Sequence, residues 1–331
     1  GFIHVIDRIS RFSRIGNTTV SHRALEYILH TLLGTADIMC VVTAVTRSDN
    51  NEYLVVLYRR DINITQLLDR VATVDSENLP LPDPSNFYEV SKIPLRESGR
   101  VDLVRIKQLA TWLDEMYQSS RDFTEVSIET DDGIQLMLNH YTRGNDTVII
   151  VAHGWRNAKD TWSFLLISGM CAKEHDVICL DFRGHGKSGG VFTWTSKEDL
   201  DLRAAINYAK RNGYKKIGLV GFSLGASLVI IEGSKNRDID SILAVSPPYD
   251  FWKIDYHFWE EDIAHDMKII FGPKGEGRTI RPGNPLEPKL RPIDVVDKIS
   301  PTPLHLLHGE SDWLIKPYHS IRLYERAREP K

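Results

Sequence analysis

A five-residue run, Gly221-Phe222-Ser223-Leu224-Gly225, lies between the apolar segment Ile217–Val220 and the small-residue helical stretch Ala226–Ile231. A glycine on each side of the serine permits a strained turn in which strand and helix backbones approach more closely than a Cβ allows. Such a turn lifts the serine hydroxyl above a sheet edge, at a helix N-terminus. It demands a strand that ends where a helix begins, and the neighbouring sequence alternates in that way. Val148–Ala152, Val177–Leu180, Ile242–Val245 and Leu304–Leu307 are short apolar runs, and helical segments such as Lys197–Lys210 separate most of them. Apolar strands alternating with helices predict an α/β fold with a mostly parallel sheet covered on both faces. A hairpin is expected before them, in which Phe123–Glu129 and Ile134–Tyr141 flank Asp131-Asp132-Gly133.

Upstream, residues 1–112 show a different pattern and are expected to form a small α+β domain. Asp37–Thr46 and Glu52–Tyr58 are β-branched-rich strand candidates, and Phe2–Ile6 is strand-like. Ser21 reads as an N-cap for a helix over His22–Leu33. The proline-rich Ser76–Asn86 reads as a loop, and the apolar spacing over Val101–Tyr117 predicts a helix. Residues 113–122 are expected to carry the connection to the second domain, 123–331, with polar Gln118–Asp122 as the linker.

Composition excludes some function classes. The 331 residues carry a formal net charge of −4, which gives no reason to expect nucleic-acid binding. No apolar run approaches the roughly 18 residues that span a bilayer. Cys40, Cys171 and Cys179 are too scattered for a disulfide framework or a zinc site, so no metal and a cytoplasmic setting are expected. No signal peptide is recognisable. The chain opens on Gly1 and ends after an apparent helix at Lys331, so it is expected to be a piece of a longer protein.

Three further motifs surround the serine. His153-Gly154-Trp155 follows Val148–Ala152, where the backbone N–H of Trp155 can face a developing oxyanion; the N–H of Leu224, just after Ser223, is the expected second donor. Asp181-Phe182-Arg183-Gly184-His185-Gly186-Lys187-Ser188-Gly189 follows the next strand. The run Pro303–Gly309 ends in Glu310-Ser311-Asp312, which places a carboxylate after a later strand.

With these motifs in this order, residues 123–331 resemble the α/β-hydrolase superfamily, nearest its serine-aminopeptidase-like and monoacylglycerol-lipase-like branch. The resemblance implies Ser223 as nucleophile, Asp312 as the orienting acid, and Trp155 and Leu224 as oxyanion donors, with no cofactor. It also places the catalytic histidine after one more strand, which is missing here. His319 falls in a helix, His308 in a strand-end turn, and His153 and His185 in backbone motifs, so none is assigned as the base. Without a base the serine is not activated, and this chain alone is expected to be close to inactive. Tyr249, Phe251, Trp252, Tyr256, Phe258 and Trp259 could line an acyl pocket or pack as core. Acyl esters or thioesters of modest size are the expected substrates.

A second resemblance covers residues 1–112. Gly1–Val20, with Arg11-Phe12-Ser13-Arg14-Ile15-Gly16, is similar to the hinge of adenylate-forming enzymes. Ile93–Asp102, with Ser98-Gly99-Arg100-Val101-Asp102, resembles their closing motif, and the match is nearest the acyl-acyl-carrier-protein synthetases. The family carries lysine where Arg100 stands, an exchange that keeps the charge and changes the geometry. The resemblance implies ATP and Mg only alongside an active synthetase core, with an acyl carrier protein or CoA as partner. The expected function is thus a serine hydrolase of acyl or lipid-type substrates fused to a synthetase remnant. The alternatives are the C-terminal part of an ATP-dependent synthetase, or a non-catalytic scaffold. Gly272–Gly277 lacks the strand-to-helix context of a phosphate loop and reads as a surface turn.

Overall fold

The computed structural model describes residues 9–59, 61–74, 80–254, 280–312 and 314–331. The strand expected at Phe2–Ile6 and the turn at Gly272–Gly277 lie outside the described residues. The chain divides into two compact units, Gly1–Gln118 and Ser119–Lys331.

In the first unit, β1 (Phe12–Ile15) and β2 (Thr18–Ser21) form a hairpin. Helix α1 (His22–Leu33) begins on Ser21, whose hydroxyl accepts from Ala24 N at 3.3 Å, and ends on Gly34 at φ +69°. Strands β3 (Cys40–Thr46), β4 (Glu52–Arg59) and β5 (Phe87–Val90) form a sheet in that order, β4 antiparallel to β3 and parallel to β5. Successive residues of a strand face opposite sides. Accordingly Val42, Ala44 and Val56 pack with Leu25 and Leu29 of α1 and Leu67 of α2 (Ile64–Val71), whereas Val41, Val45, Val55 and Leu57 pack with Ile106 and Ala110 of α3 (Leu103–Arg121).

The division between the units falls within the expected linker, at Gln118–Ser119, but the helix before it runs longer than expected. Helix α3 runs on through Arg121, so the polar stretch at Gln118 is helical rather than irregular. Its residues include no glycine or proline to stop the helix, and polarity alone does not end one.

In the second unit, β6 (Thr124–Glu129) and β7 (Gln135–Tyr141) form the predicted hairpin, with Gly133 at φ +82° in its turn. They join β8 (Thr147–Ala152), β9 (Asp176–Leu180), β10 (Lys216–Phe222), β11 (Ser241–Val245) and β12 (Leu304–Leu307) in one sheet, ordered β12-β11-β10-β8-β9-β7-β6. From β12 to β9 all pairings are parallel. Val148, Ile150 and Ala152 of β8 pack with α5 (Glu198–Arg211) and α6 (Leu224–Gly233), while Val151 packs with Phe164 of α4 (Trp162–Cys171). The sheet is therefore covered on both faces, as the alternation of apolar strands and helices predicts. Two short elements close the described chain, α7 (Pro292–Val295) and α8 (Tyr318–Arg326). No described helix is long and apolar enough to cross a membrane.

One buried cation ties the hairpin to the parallel strands. Arg183, 2% exposed, donates from both Nη atoms to Asp132 at 2.7 and 2.9 Å and from Nε to Asp201 at 2.8 Å. Removing one partner of such a pair leaves an uncompensated buried charge. Arg183→Leu is expected to cost about 3–5 kcal/mol, measured by chemical denaturation against the unsubstituted chain.

Candidate active site

Ser223 follows β10 directly and caps α6 with φ +52° and ψ −111°. That backbone conformation costs a residue with a Cβ about 1–3 kcal/mol, so the surroundings must impose it. A Cβ at Gly221 would stand 2.6 Å from the carbonyl carbon of Gly225 and 2.7 Å from Ala226 N. A Cβ at Gly225 would run into the carbonyl of Ala152 and stand 2.6 Å from that of His153. Both glycines are thus required by backbone contact. The N–H of Ser223 donates to Val245 O at 2.9 Å, which ties the turn to the end of β11. Ser223 is half-buried and Leu224 buried. As the first residue of α6, Leu224 has no carbonyl four residues back for its N–H.

The loop after β8 lies against this turn: a Cβ at Gly154 would stand 3.6 Å from Ser223 Cβ. Two histidines set its peptide planes. Phe182 N donates to His153 Nε2 at 3.2 Å, which leaves the proton on Nδ1, and Nδ1 then donates to Gly154 O at 2.7 Å. Asn157 N donates to the same carbonyl at 3.1 Å. In a trans peptide the N–H points opposite the carbonyl. Holding Gly154 O therefore fixes the direction of the Trp155 N–H. His185 Nε2 lies 2.6 Å from Trp155 O and fixes the next peptide plane. Below them the buried Asp181 carboxylate accepts from Lys159 N at 2.6 Å and Lys187 N at 2.9 Å, joining the loops after β8 and β9. Burial pushes its pKa up to about 6, against the pull of those two N–H groups.

Asp312 stands beyond the end of β12, half-buried, with one carboxylate oxygen accepting from Leu314 N at 3.1 Å and Ile315 N at 2.9 Å. His308 Nε2 is 3.7 Å from its other oxygen. That histidine bridges Ser320 Oγ and Ile315 O, both at 2.6 Å, and so closes the strand-end turn. His319 is buried, its Nδ1 accepting from Tyr249 N at 3.2 Å while its ring lies against Tyr249 and Tyr318.

The aromatic cluster divides. Tyr249 packs into the His319 and Tyr318 stack, and Arg322 lies over its ring. Phe251 meets Trp194, and Trp252 is 57% exposed; Tyr256, Phe258 and Trp259 lie outside the described residues. Trp194 has no counterpart among the expected residues, because a left-handed φ at tryptophan leaves no sequence signature. In the first unit Arg100 is exposed, in a turn between the bridged residues Leu95 and Val101 with Gly99 at φ +74°.

His153 makes a pH test possible. Burial, with His185 adding to it, lowers its pKa from 6.5 to about 3. As pH falls the unfolded chain takes up this proton first. The stability due to neutral His153 is therefore present above pH ~6.5 and lost as pH falls toward ~3. His153→Asn is expected to flatten the fall in unfolding free energy across that window by up to about 1.4 kcal/mol per pH unit, read from denaturant titrations at several pH values.

Comparison with known proteins agrees with this architecture. A family model described as "Alpha/beta hydrolase family" matches residues 149–326. The uncharacterized protein YfhR of Escherichia coli is 30% identical over 188 residues, 55% of this chain and 58% of YfhR. YqkD of Bacillus subtilis, also uncharacterized, is 29% identical over 174 residues, 47% of this chain and 52% of YqkD. The chain thus spans little more than half the length of these relatives. The esterase Pf2001 of Pyrococcus furiosus superposes with a TM-score of 0.51 at 28% identity, covering 63% of this chain and 79% of the esterase. With the model matching more than half of its residues, this chain belongs to the alpha/beta hydrolase family.

Proposed function

We propose that this protein is a serine hydrolase of carboxylic esters or thioesters with apolar acyl groups, acting through an acyl-enzyme on Ser223. The observation that carries the reading is the strained, half-buried Ser223 at the head of α6, with the Gly154 loop against it. Similarity to an esterase of known structure supports ester hydrolysis.

In this reading Ser223 Oγ attacks the carbonyl carbon as its proton passes to a base. The carbonyl oxygen becomes an oxyanion between the N–H groups of Trp155 and Leu224, backbone donors that would need no reorganisation in this role. Collapse of the tetrahedral intermediate expels the alcohol or thiol, which takes the proton from the base. Water then repeats the sequence on the acyl-enzyme and releases the acid. Asp312 orients the base. His153, His185, His308 and His319 are engaged in the hydrogen bonds described above, and none of them is assigned as the base.

The glycine contacts argue against a bare scaffold, since a fold that no longer presents a serine has no need of the strained turn. For the first unit we carry forward an ATP-dependent acyl-activating role shared with a synthetase core. Arg100 would face carboxylate and phosphate there, and an acyl carrier protein or CoA would accept the acyl group. The exposed turn with left-handed Gly99 favours this second reading, because it presents Arg100 to solvent. Its test is ATP-dependent hydroxamate formation from fatty acids by the full-length protein.

A fluorophosphonate should label the full-length protein at Ser223, and Ser223→Ala should abolish labelling. With p-nitrophenyl butyrate, Ser223→Ala is expected to lower kcat by on the order of 10⁶ and Asp312→Asn by about 10⁴. Labelling that survives Ser223→Ala would sink the assignment of the nucleophile.

A further inference from the structure

Among the described residues five non-glycine positions have left-handed φ, and four belong to the hydrolase unit: Trp194 (+60°), Thr195 (+75°), Ser223 (+52°) and Ser246 (+48°). Ser223 and Ser246 sit at the ends of the neighbouring strands β10 and β11. Trp194 and Thr195 are consecutive, in the connection from β9 to α5, and Thr195 is β-branched, for which this region is an outlier. The surroundings hold the turn in place. Buried Glu198, in the first turn of α5, accepts from Thr193 N at 2.6 Å and from Thr193 Oγ1 at 2.9 Å, and the same hydroxyl accepts from Lys197 N at 2.9 Å. The result is to stand the half-buried indole of Trp194 5.7 Å from the ring of Trp155, 4.8 Å from Phe192 and 5.6 Å from Phe251.

The sheet order gives this aromatic wall a side. Across the carboxyl ends of the parallel strands lie Asp312 after β12, Ser223 after β10, Trp155 after β8 and Trp194 after β9. With Asp312 as the acid that orients the base in the Ser223 reading, the group that protonates the leaving alcohol approaches from the Asp312 side. The leaving group therefore points toward β12, and the acyl chain points the other way, toward β8 and β9.

We propose that Trp194, with Trp155 and Phe251, is the wall against which the acyl chain of the substrate packs, and that it selects chains longer than acetyl. The proposal rests on the Ser223 reading above. A buried methylene is worth a factor of about four, so kcat/KM for p-nitrophenyl esters should climb from acetate to hexanoate. Trp194→Ala should lose roughly tenfold or more on hexanoate and less than about threefold on acetate. Trp194→Phe should restore most of the preference. Lengthening the alcohol at a fixed acyl group should leave the effect of Trp194→Ala unchanged. An equal loss on every acyl length, or a loss that follows the alcohol, overturns the wall. A ligand readout separates this from failure of the hydrolase reading. If no ester shows Ser223-dependent turnover but hexanamide gives saturation-transfer NMR signals with the unsubstituted protein and not with Trp194→Ala, the wall stands and the hydrolase reading falls. No hexanamide signal and no chain-length preference overturn the wall.

Discussion

Helix α6 approaches β8 so closely that a single methyl group on Gly225 would overlap the Ala152 carbonyl and crowd that of His153. Two segments far apart in sequence are thereby pressed into one unit, and the approach has consequences on both sides. On the helix side it forces the backbone of Ser223 into a conformation that a side chain resists. On the strand side it holds the loop after β8 against the same serine. The remaining features of the site are ways of keeping those two segments in register.

Buried polar groups perform that task, and each is satisfied by backbone. Asp181 collects N–H groups from two loops, and His153 reads one backbone donor and one backbone acceptor. Burial keeps His153 and His185 uncharged, since the cationic form would have to exist without water. A neutral imidazole with one donor and one acceptor specifies a peptide orientation as a charged one could not. The Gly154 peptide is thus fixed by dipoles. That arrangement suits charge that appears only during reaction.

Strain is distributed in keeping with this. In the hydrolase unit the left-handed non-glycine residues sit on connections at the carboxyl ends of β9, β10 and β11, the edge where parallel α/β sheets bind ligands. Opposing the strain are a dense apolar core and the buried Arg183 network, which anchors the start of the connection carrying Trp194. The first unit shows no such concentration among its described residues. Its one left-handed non-glycine residue, Asn50, lies in the turn between β3 and β4.

Much of the fold was legible because its signals are local. Apolar patterns placed β3, β4, α3 and the strands of the hydrolase sheet within a few residues, Ser21 announced α1, and the two glycines around Ser223 announced the elbow, whereas β1, β2, α2, β5 and α4 were not foreseen. Where local signals misled, as at Gln118–Arg121, polarity was read as a helix end although no residue there breaks a helix. The aromatic cluster looked uniform in sequence and separated in space, Tyr249 into packing beneath α8 and Phe251 toward Trp194. The sequence by itself determined the strand-turn-helix at Ser223, because glycine spacing and apolar periodicity act over a few residues. Only the tertiary structure decided that β8 lies between β10 and β9, that His153 and His185 hold peptide planes, and that Trp194 stands beside Trp155. Those facts depend on contacts between distant segments, which impose backbone angles and ring positions that no neighbouring residue encodes.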